Sequence, residues 1–516
     1  MASNEAPHVE LPRRYNAAVD LIARNLTGAR VNKVAFRDDR SSITYGELAA
    51  RVGRAANALL GLGLRQEQRV VLCLLDTIDF PVTFLGAIKA GIVPIPVNTM
   101  MTPEDYDYIL RDSRARGLIV SDALAPKFAD IRQGQPHLQH VVVSGGHDGP
   151  LRTLIDRAPA HGTAVDTTPD DVCFWLYSSG STGVPKGVVH LHAHPILTAE
   201  LYAKPVLGIE EGDTVYSAAK LFFAYGLGNS LTFPMAVGAT TILSAERPTP
   251  ASVGAILRER KPTIFFGVPT LYAALLASPD LPQRTEVALR RCASAGEALP
   301  EQIGRNWQER FGVDILDGIG STEMLHIFLS NRVGDVRYGT TGKPVPGYRM
   351  RLVDHDGKPV TRGEIGELQV AGPTSASHYW NNRERSRQTF MGAWTRSGDK
   401  YREDEDGYYV YCGRTDDMLK VGGIYVAPFE VESALQSHEA VLECAVVGAE
   451  DEAKLIKPKA FVVAKPGHPP SPALAAALQD HVKSRLAPYK YPRWIEFIDT
   501  MPKTATGKIQ RFKLRT

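Results

Sequence analysis

A chain of 516 residues is long enough for two to four domains, each with its own core. Hydrophobic residues at 44% and charged residues at 22% are ordinary for a globular protein and exclude a disordered or fibrous chain. The 59 basic and 57 acidic residues leave a net charge of +2, so charge alone gives no nucleic-acid or membrane partner and any anion binding must be local.

Met1 to Tyr15 interleaves Glu5, Glu10, Arg13 and Arg14 without an apolar run, so no secretory signal is expected. No stretch reaches the ~20 apolar residues needed to cross a bilayer. From Thr44 the pattern turns helical: Leu48, Val52, Ala55 and Leu59 share a face, Thr44 and Glu47 have capping-box spacing, and Gly61 and Gly63 end the helix. Apolar runs from Val70 to Leu75 and from Ile92 to Val97 read as strands buried on both faces, with a helical stretch between them. Another helix starts at Thr102 and Pro103, followed by short strands at Leu118 to Val120 and Val141 to Val143. This alternation predicts a doubly wound α/β architecture. Further on, Tyr408 to Tyr411 reads as a strand, a polar stretch follows at Arg414 to Asp417, and strands recur at Ala445 to Val447 and Phe461 to Ala464. A helix capped by Ser471 carries Leu474, Leu478 and Val482 on one face. The expectation is a large body, 1–415, and a small mobile α+β C-terminal domain, 416–516. Five scattered cysteines (Cys73, Cys173, Cys292, Cys412 and Cys444) lack metal or redox spacing and read as buried free thiols of a reduced, cytoplasmic protein.

The most informative segment runs from Tyr177 to Gly187: Ser178, Ser179, Gly180, Ser181, Thr182, Gly183, then Pro185, Lys186 and Gly187. Glycines admit close backbone approach, hydroxyls add donors and Lys186 adds charge, which suits polyphosphate oxygens. It is not a Walker A loop, because Pro precedes the lysine and Gly follows it. Apolar runs on both sides make it a connection between strands.

This loop resembles the signature of the adenylate-forming superfamily of acyl-CoA synthetases, adenylation domains and luciferases. Further motifs follow in that family's order: Ala295-Gly296-Glu297, Gly320-Ser321-Thr322-Glu323, Gly363 to Leu368, Trp394 to Asp399, Gly413 to Asp417, and Pro502 to Lys508. They span nearly the whole chain. The resemblance implies an ATP site of Ser178 to Gly183, Lys186, Ala295 to Glu297, Asp317, Gly318, Ile319, Gly320, Thr322, Asp399 and Arg414. Lys508 would bridge the acid and the α-phosphate, with Lys186 and Thr182 assisting, and Glu323 would hold Mg2+. Asp399 and Arg414 would hold the ribose. Ile319 departs from the family, where many relatives carry an aromatic residue that stacks on the base.

Asp416 matches the family's hinge, and Lys420, Gly422 and Gly423 match its CoA-binding face. The acyl pocket would comprise Phe223, Ala224, Tyr225, Gly226, Gly320, His326 and Ile327. Aromatic and small side chains shape a short slot for a ring, whereas a fatty chain needs a tunnel. These segments resemble benzoate-CoA ligases most. His326 admits two readings, contact with the acid or a hydrogen-bonded buried histidine. The expected partners are ATP, CoA and a small aromatic carboxylic acid, and the expected assembly is a monomer or homodimer. The sequence ends shortly after Lys508 without a carrier domain, which favours free CoA as acceptor. A stand-alone adenylation enzyme loading a carrier protein and a non-catalytic nucleotide-binding protein are the alternatives.

Overall fold

The computed structural model describes residues 6–145, 149–162, 164–178, 185–414, 417–421, 424–451, 455–503 and 509–515. The helix read from Thr44 runs Tyr45–Gly61, and both halves of its capping box are formed. Leu48, Val52, Ala55 and Leu59 are buried, each large side chain contributing roughly 1.5–3 kcal/mol. That face meets helix Asp79–Lys89 at very short range, because a Cβ on Gly86 would lie 2.6 Å from the Ala55 Cβ.

Two parallel sheets organise the body. In the first, strands Val93–Pro96, Arg69–Cys73, Gly117–Ser121 and His140–Ser144 lie side by side in that order. The second has nine strands. Its parallel centre runs Thr240–Ile242, Thr214–Ser217, Ile264–Gly267, Arg291–Ser294, Ile315–Gly320. In chain order the centre of the second sheet reads 2-1-3-4-5, a doubly wound order in keeping with the expected α/β architecture, with helices Pro250–Glu259, Pro269–Leu276 and Glu301–Phe311 as crossovers. Such sheets bind ligands outside the carboxyl ends of their strands, where the order reverses. The loops after Ser217, Ser294 and Gly320 leave from those ends, and each carries one of the motifs read above. An antiparallel sheet follows, built on Arg349–Val353, Gly366–Ala371, Trp394–Glu403 and Tyr409–Arg414.

The C-terminal domain has its own core, where Val431, Leu435, Val446, Val462, Leu478 and Val482 pack together. It contains a three-stranded sheet, Val441–Glu450, Ile456–Ala464 and Trp494–Phe497, and a hairpin of Leu419–Val421 with Ile424–Val426. Ser471 caps helix Pro472–Lys483 by accepting the Leu474 N–H. All five cysteines are buried free thiols. No helix among the described residues is long and apolar enough to cross a membrane.

Candidate active site

Strand Val172–Ser178 runs toward the phosphate loop and strand Lys186–Leu191 returns antiparallel to it, with Ser178 opposite Lys186. The loop is therefore a strand connection; Ser179, Gly180, Ser181, Thr182 and Gly183 lie outside the described residues. The Ser178 hydroxyl is buried without a hydrogen-bond partner among the described residues. Lys186 Nζ sits 4.7 Å from the centre of the Tyr379 ring, and the Tyr379 hydroxyl donates to Glu323 Oε1 at 2.7 Å. Burial pushes the Lys186 ammonium below its ordinary value; the Glu323 carboxylate opposes that shift, and Arg385 and Arg414 add to it. Lys186, Arg385 and Arg414 against the Glu323 and Asp399 carboxylates suit an anion.

Glu323 owes its place to a one-turn helix, Thr322–Met324, whose cap is the Ser321 hydroxyl accepting the Met324 N–H at 3.2 Å. Leu325 then turns the chain with φ at 67°. The Thr322 carbonyl accepts from His190 Nε2 at 2.9 Å, which ties this turn to the returning strand of the phosphate loop. His190 Nδ1 in turn lies 3.1 Å from His194 Nδ1.

Among the residues expected to hold the nucleotide, Asp399 and Arg414 face each other across adjacent strands, Nη1 to Oδ1 at 3.0 Å. Ala295 is buried, Gly296 is exposed with φ at 99°, and Glu297 is half-buried. Asp317 is buried with Oδ1 unpartnered, and burial pushes its carboxyl well up. Gly318, Ile319, Gly320 and Thr322 continue along the same edge, where Ile319, Gly320 and Thr322 are half-exposed.

The residues expected to line the acyl pocket begin where strand Thr214–Ser217 ends. Phe223, Ala224 and Tyr225 are half-exposed there, whereas the adjoining Leu221, Phe222 and Leu227 are core. Gly226 and Gly320 allow close backbone approach: a Cβ would lie 2.0 Å from the Lys220 carbonyl oxygen at the first and 2.6 Å from the His326 backbone at the second. His326 is buried, with Nε2 at 3.2 Å from both the Tyr225 carbonyl and Asn229 Oδ1, and its ring meets Phe233 edge-on at 4.4 Å. It is thus a hydrogen-bonded buried histidine through Nε2, while Nδ1 has no partner among the described residues. Burial pushes its pKa down to about 3, so the ring is neutral. Ile327 is buried beside it.

From the C-terminal domain, the Ile509 N–H donates to Glu297 Oε1 at 3.1 Å. The residue before Ile509 is Lys508, which lies outside the described residues, as do Asp416, Gly422 and Gly423. Lys420 falls on strand Leu419–Val421, with its side chain outside the described set. Tyr379, His190 and Asn229 were not picked out in the sequence. Each acts through one hydrogen bond to a motif residue far away in the chain, and no local pattern announces that.

A chain with these loops at the carboxyl edge of a doubly wound sheet, and a second domain reaching back to them, belongs to the AMP-binding enzyme family. Residues 23–380 match that family, and residues 430–508 match the AMP-binding enzyme C-terminal domain. Among its relatives, the benzoate–CoA ligase of Thauera aromatica is 64% identical over 100% of this chain and 98% of its own length. Of solved structures, a benzoate CoA ligase from Burkholderia xenovorans LB400 superposes with a TM-score of 0.92 at 55% identity, covering 97% of this chain and 100% of that one. The anthranilate CoA ligase AuaEII, solved in complex with anthranoyl-AMP, gives a TM-score of 0.94 at 47% identity over 98% and 97% of the two chains.

Proposed function

We propose that this protein is an AMP-forming aryl-CoA ligase that converts benzoate, or a close analogue, to its CoA thioester. A carboxylate oxygen of the acid attacks the α-phosphorus of ATP; the new O–P bond replaces the bond to pyrophosphate, which leaves. The sulfur of CoA then attacks the carbonyl carbon, forming C–S as the acyl–phosphate C–O bond breaks, and AMP and a proton are released. The observation that carries this reading is the placement of two groups at the carboxyl ends of one sheet: half-exposed Phe223, Ala224 and Tyr225 follow strand Thr214–Ser217, and Glu323, whose charge acts on Lys186, follows strand Ile315–Gly320. The full-length likeness to a benzoate–CoA ligase supports the same substrate class.

Two anions must meet for the first step, so the chain has to supply positive charge in fixed places. Lys186 would face the β- and γ-phosphates, Lys508 would lie between the acid and the α-phosphate, and Thr182 would donate to the phosphates. Asp399 and Arg414 would hold the ribose. Mg2+ fits the donor set, since one carboxylate, Glu323, placed by the Tyr379 hydroxyl, leaves the other positions to phosphate oxygens and water. When bound, that ion neutralises phosphate charge.

The domain boundary falls in this reading at 415/416, between the body's last strand, ending at Arg414, and the first core residue of the small domain, Leu419. Rotation about Asp416 would exchange the face bearing Lys508 for the one bearing Lys420, Gly422 and Gly423, where the thiol arm of CoA would enter. The test is product analysis with benzoate, ATP, Mg2+ and CoA. Equal amounts of AMP, pyrophosphate and benzoyl-CoA are expected. ADP as the nucleotide product, or acyl transfer to a holo carrier protein but not to CoA, would overturn the reading.

A further inference from the structure

The chain around Lys508 is tied down at its base and from two further directions. An isolated antiparallel bridge pairs Lys503 with Ile509, and the Gln510 N–H donates to the Pro502 carbonyl at 2.8 Å. The chain therefore leaves and returns at one point, with residues 504–508 between. Within the C-terminal domain, Arg511 forks onto Glu432: Nη2 reaches Oε2 at 2.8 Å and Oε1 at 3.0 Å, and Nε reaches Oε1 at 3.2 Å. Glu432 is only 4% exposed and also accepts the Val446 N–H at 2.7 Å. Arg515 pairs with Asp417, next in the chain to the proposed hinge, and Arg511 Nη1 lies 4.0 Å from the same carboxylate. From the body, Glu297 accepts the Ile509 N–H.

A forked arginine–carboxylate pair fixes direction as well as distance. Glu432 is held by its own strand contact and Arg511 follows Lys508 by three residues, so the fork sets where the returning limb of the loop lies. The Glu297 contact is of another kind. It joins the two domains, and it exists only while the C-terminal domain sits over the nucleotide strand.

We infer that Arg511 with Glu432, and Glu297 from the body, are positioning residues for adenylation by Lys508: the fork fixes the limb from Ile509 to Arg511 that follows it, and Glu297 latches the C-terminal domain in the adenylating position. This rests on the proposed role of Lys508. Neither contact is needed once the acyl-adenylate exists and the other face of the domain has turned in. Glu297 consequently does two separate jobs, its backbone lining the nucleotide while its carboxylate holds the lid.

The two half-reactions separate a positioning role from a merely structural one. Benzoate-dependent exchange of label between pyrophosphate and ATP reads adenylation, and synthetic benzoyl-AMP with CoA reads thioester formation, both on the full-length protein. Since a misplacement of about 1 Å at a catalytic group costs on the order of 100-fold, Arg511→Ala should lower the ratio of exchange to thioester formation by about that factor. Arg511→Lys, keeping the charge without the fork, should recover part of it. Glu297→Ala should lower the same ratio roughly 10-fold, the worth of a hydrogen bond to a charged group. Glu297→Gln keeps an oxygen acceptor and should restore most of that loss. A parallel fall of both half-reactions, with a lowered melting temperature, would show that Arg511 only holds the domain together and would overturn the inference. A raised KM for ATP at unchanged maximal exchange in Glu297→Ala would make Glu297 a nucleotide contact and remove the latch. Lys508→Ala is the reference. If it abolishes exchange while Arg511→Ala does not, the anchoring alone fails; if exchange survives in Lys508→Ala, the role of Lys508 fails and the anchoring with it.

Discussion

On the nucleotide side of the cleft, polar groups hold one another: Tyr379 on Glu323, Lys186 over the Tyr379 ring, and Asp399 against Arg414. Around the residues proposed to hold the acid, packing is set by what is left out, since Gly226, Gly228 and Gly320 stand where any Cβ would strike a carbonyl or the His326 ring. The first surface is specified by charge and the second by volume, and the two should fail differently. Removing charge at constant volume should cost chemistry and spare recognition of the acid. Adding volume at constant charge should do the reverse.

The sharpest way to break that contrast is Glu323→Gln, which keeps the shape and loses the charge. ATP–pyrophosphate exchange should fall on the order of 100- to 1,000-fold, the scale for losing one electrostatic contact to a transition state. The KM for the acid should stay within about 2-fold, because no transition-state charge enters its ground-state binding. A rise in that KM with exchange preserved would dissolve the distinction. The opposite probe is Gly228→Ala, whose added methyl would lie 2.3 Å from the His326 ring. Overpacking of this kind costs roughly 1–3 kcal/mol, so kcat/KM for benzoate should drop about 10- to 100-fold. The KM for ATP, measured at saturating benzoate, should barely move.

The same contrast explains what could be read from the chain. The charged motif residues Asp399 and Glu323 stood out only through the resemblance of their motifs to a family, and their meeting a ligand belongs to the proposed function. Helix Tyr45–Gly61 and its capping box, the parallel strands and Ser471 as a cap were legible because periodicity and end chemistry are local. Phe222 and Phe223 show the limit. They are neighbours of one residue type, yet Phe222 is 6% exposed and in the core while Phe223 is half-exposed. The backbone between them is held by contacts far away in the chain, such as the Asp76 carboxylate that accepts the Leu221 N–H across 145 residues. Tyr379 was illegible for the same reason. Its hydroxyl meets Glu323 across 56 residues.

Tyr379 also offers a smaller, sharper test. Tyr379→Phe keeps the ring beneath Lys186 and removes only the hydroxyl that holds Glu323, so exchange should fall by about 10-fold, in line with one hydrogen bond to a charged group. Because Mg2+ is proposed to bind at Glu323, the deficit should appear in the Mg2+ concentration needed for half-maximal exchange rather than in the KM for the acid. If the loss is instead the same at every Mg2+ concentration, the hydroxyl is not orienting that carboxylate.

The smallest expected effect lies in the scaffold shared by both sides. His192 follows the returning strand of the phosphate loop, and its Nδ1 accepts the Ala17 N–H at 3.1 Å, anchoring helix Ala17–Ala23. An acceptor nitrogen must be unprotonated, and burial pushes the His192 pKa down from 6.5 to about 4, with Asp171 opposing the shift. In the unfolded chain the imidazole takes up its proton nearer its ordinary value, so between those two values the unfolded state binds more protons than the folded one. The stability due to neutral His192 is therefore complete above about pH 6.5 and is lost as pH falls toward 4, on the order of 1 kcal/mol over the first unit. His192→Asn keeps an oxygen that can accept the Ala17 N–H and cannot titrate. Denaturation midpoints of the two proteins should run together at pH 7.5 and diverge at pH 5.5, with the native sequence losing more. Parallel curves across that range would mean that His192 keeps the same pKa folded and unfolded, and would remove the neutral anchor from beneath the phosphate loop.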